Sequence, residues 1–201
     1  MPYIDSIAAL EALYGTPAPA ALRKVADHLT PGYSQWVARS RFCALTTVGE
    51  TGSDCSPRGD EAAVACELDP RTLALPDWRG NDRIDSLRNI VADGRVSLMF
   101  MIPGSANVVR VNGRGRVSAD AALLDRFERD GKRPRTVIVV AIAEVYFQCA
   151  RALMRSALWT GGDQSAGLPT PGQLLASLTE GAVGGPAYDA AWPGRAAGTM
   201  W

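Results

Sequence analysis

Residues 73–91, LALPDWRGNDRIDSLRNIV, decide how this chain is read. The apolar run Leu73, Ala74, Leu75 reads as a strand and breaks at Pro76, which has no N–H to give a ladder. A polar turn with Gly80 follows. Ile84, Leu87, Ile90 and Val91 then recur at helical spacing, which predicts an amphipathic helix over 82–92. Asn81 or Asp82 stands where such a helix is capped, and Arg83 falls in its first turn. Helix N-termini expose unpaired N–H groups and the positive end of the dipole, a setting that suits anions. A guanidinium there matches phosphate oxygens two at a time. The segment is either a strand–turn–helix anion clamp or an ordinary capped helix with a solvated arginine.

Outward from this stretch the chain is mostly strand. Before it, 42–48 and 53–57 flank Gly49-Glu50-Thr51-Gly52, a hairpin signal, and 62–68 and 72–75 flank Asp69-Pro70-Arg71, another. After it, Asp93-Gly94 stops the helix. The run 96–102 is continuously apolar, as in a buried strand, 107–117 is a long strand, 119–129 looks helical, and 136–147 is a β-branched final strand. Six or seven strands with short turns and one inserted helix predict a mainly β fold, an antiparallel β-barrel with peripheral helices. No regular βα alternation of the kind a parallel sheet needs is present. Short helices are expected over 6–13, 20–29 and 33–40. Three regions follow: an N-terminal helical segment over 1–40 packed on the barrel, the barrel over 41–159, and a linker with a helical tail over 160–201. The tail's helices are expected over 171–179 and 186–191, ahead of a glycine-containing end.

Composition narrows the function. Lys+Arg and Asp+Glu both number 21 in 201 residues, so no global field draws in nucleic acid or an anionic membrane. No run of about 18 apolar residues offers a membrane span. The first fifteen residues carry Asp5 and Glu11 and no basic region, unlike a secretory signal. Cys43, Cys55, Cys66 and Cys149 show no CxxC spacing, and reduced thiols in a cytoplasmic protein are the expectation. His28, the one histidine, is expected at the surface without a metal-ligand set. Asn112-Gly113-Arg114-Gly115 lies inside a strand and reads as a bulge or a close backbone approach. Cys55, just before the SPRGD block (56–60), reads as either a redox thiol or a buried structural cysteine, and the latter is the expectation.

Between two of the strands, residues 56–60, SPRGD, bring together a hydroxyl, a guanidinium, a flexible glycine and a carboxylate. With this block come PDWRGNDRIDSLRNI (76–90), VSLMFMIPG (96–104), RVNGRGRVS (110–118) and FQCARALMRSALW (147–159). In this order the five blocks resemble the FMN-binding split-barrel proteins related to pyridoxamine 5′-phosphate oxidase, over residues 35–159.

The resemblance implies a six- to seven-stranded antiparallel FMN-binding split barrel. It implies FMN held by Ser56 and Arg58 near the phosphate or ribityl chain, by Pro76 and Asp77 along the ring, and by Asn81 and Arg83 in a phosphate clamp. Ser86 and Asn112 match more weakly. The C-terminal basic and aromatic pattern of true pyridoxamine-phosphate oxidases is missing. In its place Arg151 and Arg155 stand four apart on one helical face, either facing the flavin or its anionic substrate or lying solvated beside Trp159. The implied function is FMN-dependent oxidoreductase chemistry on an unknown substrate, with an unknown electron donor. The alternative is a non-catalytic binding or sensing protein carrying flavin, deazaflavin or haem. The family also implies a two-fold homodimer with flavin at the interface. The apolar runs 96–102 and 137–140 hold more apolar side chains than one small barrel interior readily buries, which points the same way. The tail is expected to cross the partner, with Trp192 or Trp201 as its anchor.

Overall fold

Period-two alternation builds the molecule. The computed structural model describes residues 1–50 and 52–200; Thr51 of the first expected turn and Trp201, one of the two expected anchors, lie outside the described residues. The strands are β1 (Phe42–Gly49), β2 (Gly52–Gly59), β3 (Cys66–Asp69), β4 (Thr72–Asp77), β5 (Arg95–Met101), β6 (Val108–Ser118) and β7 (Thr136–Gln148). They form one antiparallel sheet in the order β2-β1-β5-β6-β7-β4-β3. Every neighbouring pair runs antiparallel, so short turns suffice to connect most of them.

Side chains draw β2, one edge of this sheet, to β4, the strand next to its other edge. Arg58 at the end of β2 bonds Asp77 at the end of β4 at 2.5 Å, and Trp78 Nε1 donates to Asp60 Oδ2 at 3.1 Å. The sheet therefore curls into a barrel that is split between β2 and β4, bridged there by side chains instead of a ladder. Leu45, Leu73, Leu75, Leu98, Phe100, Val109, Val111, Ile138 and Val140 fill the interior. Val37 from α3 (Pro31–Arg39) and Ile90 from α4 (Asp85–Ala92) add to it. Burying these side chains is the dominant stabilising term.

Several elements differ from the sequence reading, each for a local reason. β4 runs through Pro76 to Asp77, because β3 pairs only as far as Ala74 and the proline meets a single neighbour, β7. β5 is buried on one face only, with Met99 exposed. Val137, Ile138 and Val140 of β7 are all buried within one chain, so the apolar excess expected at a partner surface is absorbed by the protomer's own core. The helix expected over 119–129 shrinks to α5 (Ala121–Asp125). Asp130 and Gly131, both at positive φ, instead reverse the chain between the bridged Arg129 and Lys132. Near the N-terminus lie α1 (Ile7–Glu11) and α2 (Pro19–Arg23), neither with a buried residue. The helix expected over 20–29 stops early because Ala26 bonds Val145 of β7 in both directions, at 2.9 and 2.7 Å.

After α6 (Arg151–Arg155) the tail holds α7 (Pro171–Leu178), begun by a Thr170/Gln173 capping box, then α8 (Pro186–Ala190) and α9 (Trp192–Thr199). The expected glycine-containing end is thus helical over most of its length. Trp159 Nε1 donates to Ser105 O at 2.7 Å and ties the start of the tail to the β5–β6 turn.

Candidate functional site

The split opens as a cleft of about 520 Å³, within the range of small-molecule sites. β2 supplies Asp54, Ser56 and Arg58, alternate residues of a strand whose period of two sends Cys55 and Pro57 outward. Asp77 stands at the end of β4. The 78–84 turn forms the rim, α4 contributes Asp85, Ser86 and Leu87, and β7 contributes Thr136 with Arg135 just before it.

The turn into α4 is built differently from the sequence reading. The helix starts at Asp85, and the residue at its N-cap position is Ile84, in the left-handed conformation with φ 51°. No side chain caps the helix. Asn81 Oδ1 accepts from Arg83 N at 3.2 Å, closing a local turn before the helix, and Asp82 has φ 59°. Asn81 and Asp82 therefore spend themselves upstream, and Arg83 precedes the first helical turn instead of lying in it. The amides of the first turn stay uncapped where Asp85, Ser86 and Leu87 line the cleft, so the positive end of α4 faces it.

Four arginines and four aspartates line the cleft. Arg58 is bonded to Asp77, with both side chains largely buried. Arg83 reaches Asp85 at 2.8–2.9 Å, and Arg135 reaches Asp82 at 2.7 Å, both pairs largely exposed. Arg79 has no carboxylate partner among the described residues. Deeper in, Ser86 Oγ donates to Asp54 Oδ2 at 2.7 Å and lies 3.1 Å from Ser56 Oγ. Two buried polar atoms of the cleft residues, Arg58 Nε and Thr136 Oγ1, find no hydrogen-bond partner among the described residues. Buried polar groups nearly always have one. These atoms and the uncapped α4 amides are suited to a polar, anionic ligand.

Six of the ten residues expected to bind cofactor thus meet in one cleft: Ser56, Arg58, Asp77, Asn81, Arg83 and Ser86. Pro76 lines an adjoining chamber of about 510 Å³ that shares Arg58, Trp78, Arg79 and Gly80 with the cleft. Asn112 lies elsewhere, in a shallow groove with Ser97 and Glu144; it accepts from Ser97 Oγ and donates to Glu144 Oε1 at 2.6 Å. Its neighbour Gly113 is the expected close approach, since the register shifts between the two and an added Cβ would run into the carbonyl oxygen of Ala141. Arg151 and Arg155 are exposed on α6, outside the cleft of their own chain. Cys55 is exposed, against expectation, because β2 is an edge strand and odd positions point away from the cleft. Cys43 is the buried thiol, its pKa pushed up to about 12 by burial. His28 is exposed and bonds Asp27 at 2.7 Å. Arg79, Arg135, Thr136 and Asp54 were missed by the sequence reading. The parity of β2 alone marks Asp54.

No group of three or more His, Cys, Asp or Glu side chains placed to hold a metal ion occurs among the described residues, and no helix among them is long and apolar enough to cross a membrane. Among solved structures the chain is similar to a point variant of HupZ of Group A Streptococcus (14% identity, 59% of this chain and 98% of that one, TM-score 0.50). It is also similar to a candidate pyridoxamine 5′-phosphate oxidase of Lactobacillus delbrueckii (22%, 60% and 95%, TM-score 0.49) and to an FMN-binding protein of Syntrophomonas wolfei (14%, 57% and 87%, TM-score 0.44). No curated protein matches it. The profile of the pyridoxamine 5′-phosphate oxidase family matches residues 29–149, which hold all seven strands and the whole cleft. The chain is a split barrel and belongs to the pyridoxamine 5′-phosphate oxidase family.

Proposed function

We propose that the protein binds FMN in the β2–β4 split and acts as an FMN-dependent oxidoreductase. The observation that carries this reading is the pair of buried, unpartnered polar atoms, Arg58 Nε and Thr136 Oγ1, beside the uncapped start of α4 in a cleft large enough for a flavin. Arg58, Asn81, Arg83, Ser56 and Ser86 hold the phosphate and ribityl chain, and Pro76 and Asp77 lie along the ring. A bound flavin supplies two-electron redox chemistry, so the side chains need only bind, orient and exclude water. Among the described residues, the cleft and its adjoining chamber are lined by no histidine, cysteine or tyrosine, and by one methionine, Met200, so no histidine or cysteine stands ready to ligate an iron, which favours a flavin over a haem. The split is open on one side, and we propose that a second copy closes it in a cytoplasmic homodimer. Contact of Asn112, Arg151 or Arg155 with flavin then comes from the partner subunit.

Purified protein should be yellow and release FMN on denaturation, and it should take up FMN in preference to FAD. A colourless protein that takes up no added FMN at micromolar concentration sinks the proposal. NAD(P)H-dependent reduction of the bound flavin, followed at its visible absorbance, separates an enzyme from a flavin carrier.

A further inference from the structure

Two arginines at the rim of the cleft are each held by an aspartate, one in the turn before α4 and one at the first position of α4. Arg83 is taken by Asp85 and Arg135 by Asp82, with 75 and 62% of the two arginine side chains exposed. Exposed ion pairs of this kind contribute little and exchange partners readily. A phosphate dianion offers each guanidinium a stronger, bidentate match. The turn that carries Asp82 and leads into Asp85 has an unusual backbone: Asp82 and Ile84 both lie at positive φ, and for a β-branched residue that conformation is strained. The side chain of Ile84 is half exposed, so core packing does not demand the strain. The residue between them, Arg83, and the one after, Asp85, form one of the two tethers. The turn is closed by the bond from Arg83 N to Asn81 Oδ1 and overlaid by these two ion pairs, which an incoming anion competes for directly.

We propose that Asp82 and Asp85 are internal placeholders for a phosphomonoester: they hold Arg135 and Arg83 over the cleft until the anion takes both guanidiniums from them. Resting on the flavin reading, this makes Arg135, just before β7, a phosphate-binding residue. It also accounts for a cleft that is meant for an anion and yet carries as many carboxylates as guanidiniums. The carboxylates keep the arginines in place and set a threshold that weakly bound anions do not pass. The Arg58–Asp77 pair is different. It is largely buried and joins β2 to β4.

The test is calorimetric titration of the wild-type chain, Asp82→Asn, Asp85→Asn and the double variant with FMN, riboflavin and inorganic phosphate. Each single change should tighten FMN and phosphate by about two- to fivefold, the scale of one exposed ion pair, and the double by about tenfold. Riboflavin, which lacks the phosphate, should not change. In an Arg135→Gln background the gain from Asp82→Asn should vanish. If Asp85→Asn unfolds the chain through loss of its helix-start charge, Asp82→Asn with and without Arg135 still decides. Unchanged or weakened FMN and phosphate binding in folded variants overturns the placeholder role. A gain seen with phosphate in a protein that takes up neither FMN nor riboflavin leaves that role standing and removes the flavin.

Discussion

Arg58 and Arg83 bring the same charge to the same cleft, yet their loss should read differently. Arg83→Ala removes a cation whose partner is exposed, so FMN binding should weaken by about 1.5–3 kcal/mol, the scale of hydrogen bonds to charged groups, while the melting temperature stays near the wild-type value. Arg58→Ala should weaken FMN binding similarly, and it also leaves the largely buried Asp77 without its partner. It should therefore destabilise the chain by about 1–3 kcal/mol as well, read as a lower urea midpoint without added flavin. The cysteines diverge just as sharply. Cys149 and Cys55 are exposed, and a hydrogen bond from the Arg151 backbone holds the Cys149 thiol below its ordinary pKa. Iodoacetamide should modify Cys149 first and Cys55 next, leaving Cys43 untouched until the protein unfolds, as peptide mass spectrometry would show. Cys43 alkylated as fast as Cys149 in native protein would contradict the burial.

At the scale of elements, α4 is held at its far end by Asp93, which accepts from the side chain and backbone of Arg95 at 2.7–3.0 Å. Those bonds, the side-chain one first, lower its pKa from the ordinary 3.8 to about 2. A carboxylate with a depressed folded value adds stability that is full above about pH 4 and lost as pH falls toward 2. Asp93→Asn should therefore flatten the acid limb of the stability curve in that window and leave its shape at neutral pH unchanged. Gly113→Ala should cost about 1–3 kcal/mol, because its Cβ meets a backbone carbonyl that cannot move aside. Elements such as β1, β6 and β7 were legible in the sequence because their period-two patterns are long. The start of α4 was not: Asn81 and Asp82 carry the chemistry of caps, and only the folded turn shows Asn81 bonding Arg83 instead. Arg135 and Thr136 were illegible for a longer-range reason. Their place in the cleft depends on the pairing of β7 with β4, across which Thr136 stands opposite Asp77.

For the whole molecule, the decisive measurement is mass in solution. The proposed dimer should scatter light as twice the 21.3 kDa chain, and a mass near that of one chain would remove the proposal that a partner closes the split. Since Val137, Ile138 and Val140 are buried within the protomer, the contact must use other residues. Phe42 of β1 and Met99 of β5, on adjacent strands, are exposed and available to it. The tail offers Trp192, which is exposed and has Arg195 over its ring at 5.7 Å. Deleting residues 160–201 should weaken dimerisation if the tail crosses the partner, and analytical ultracentrifugation of the truncated chain against the full one would show it.

The alternation along β2 also bears on how this protein can change over evolutionary time. Asp54, Ser56 and Arg58 face inward only because an even count separates them along an edge strand paired residue for residue with β1. Substitutions in the hairpin before them leave that count alone. Insertion or deletion of one residue between Gly52 and Asp54, with the pairing kept, would turn the strand over and present Cys55 and Pro57 in their place. Descendants of this chain are therefore free to vary the letters of that hairpin far more than its length.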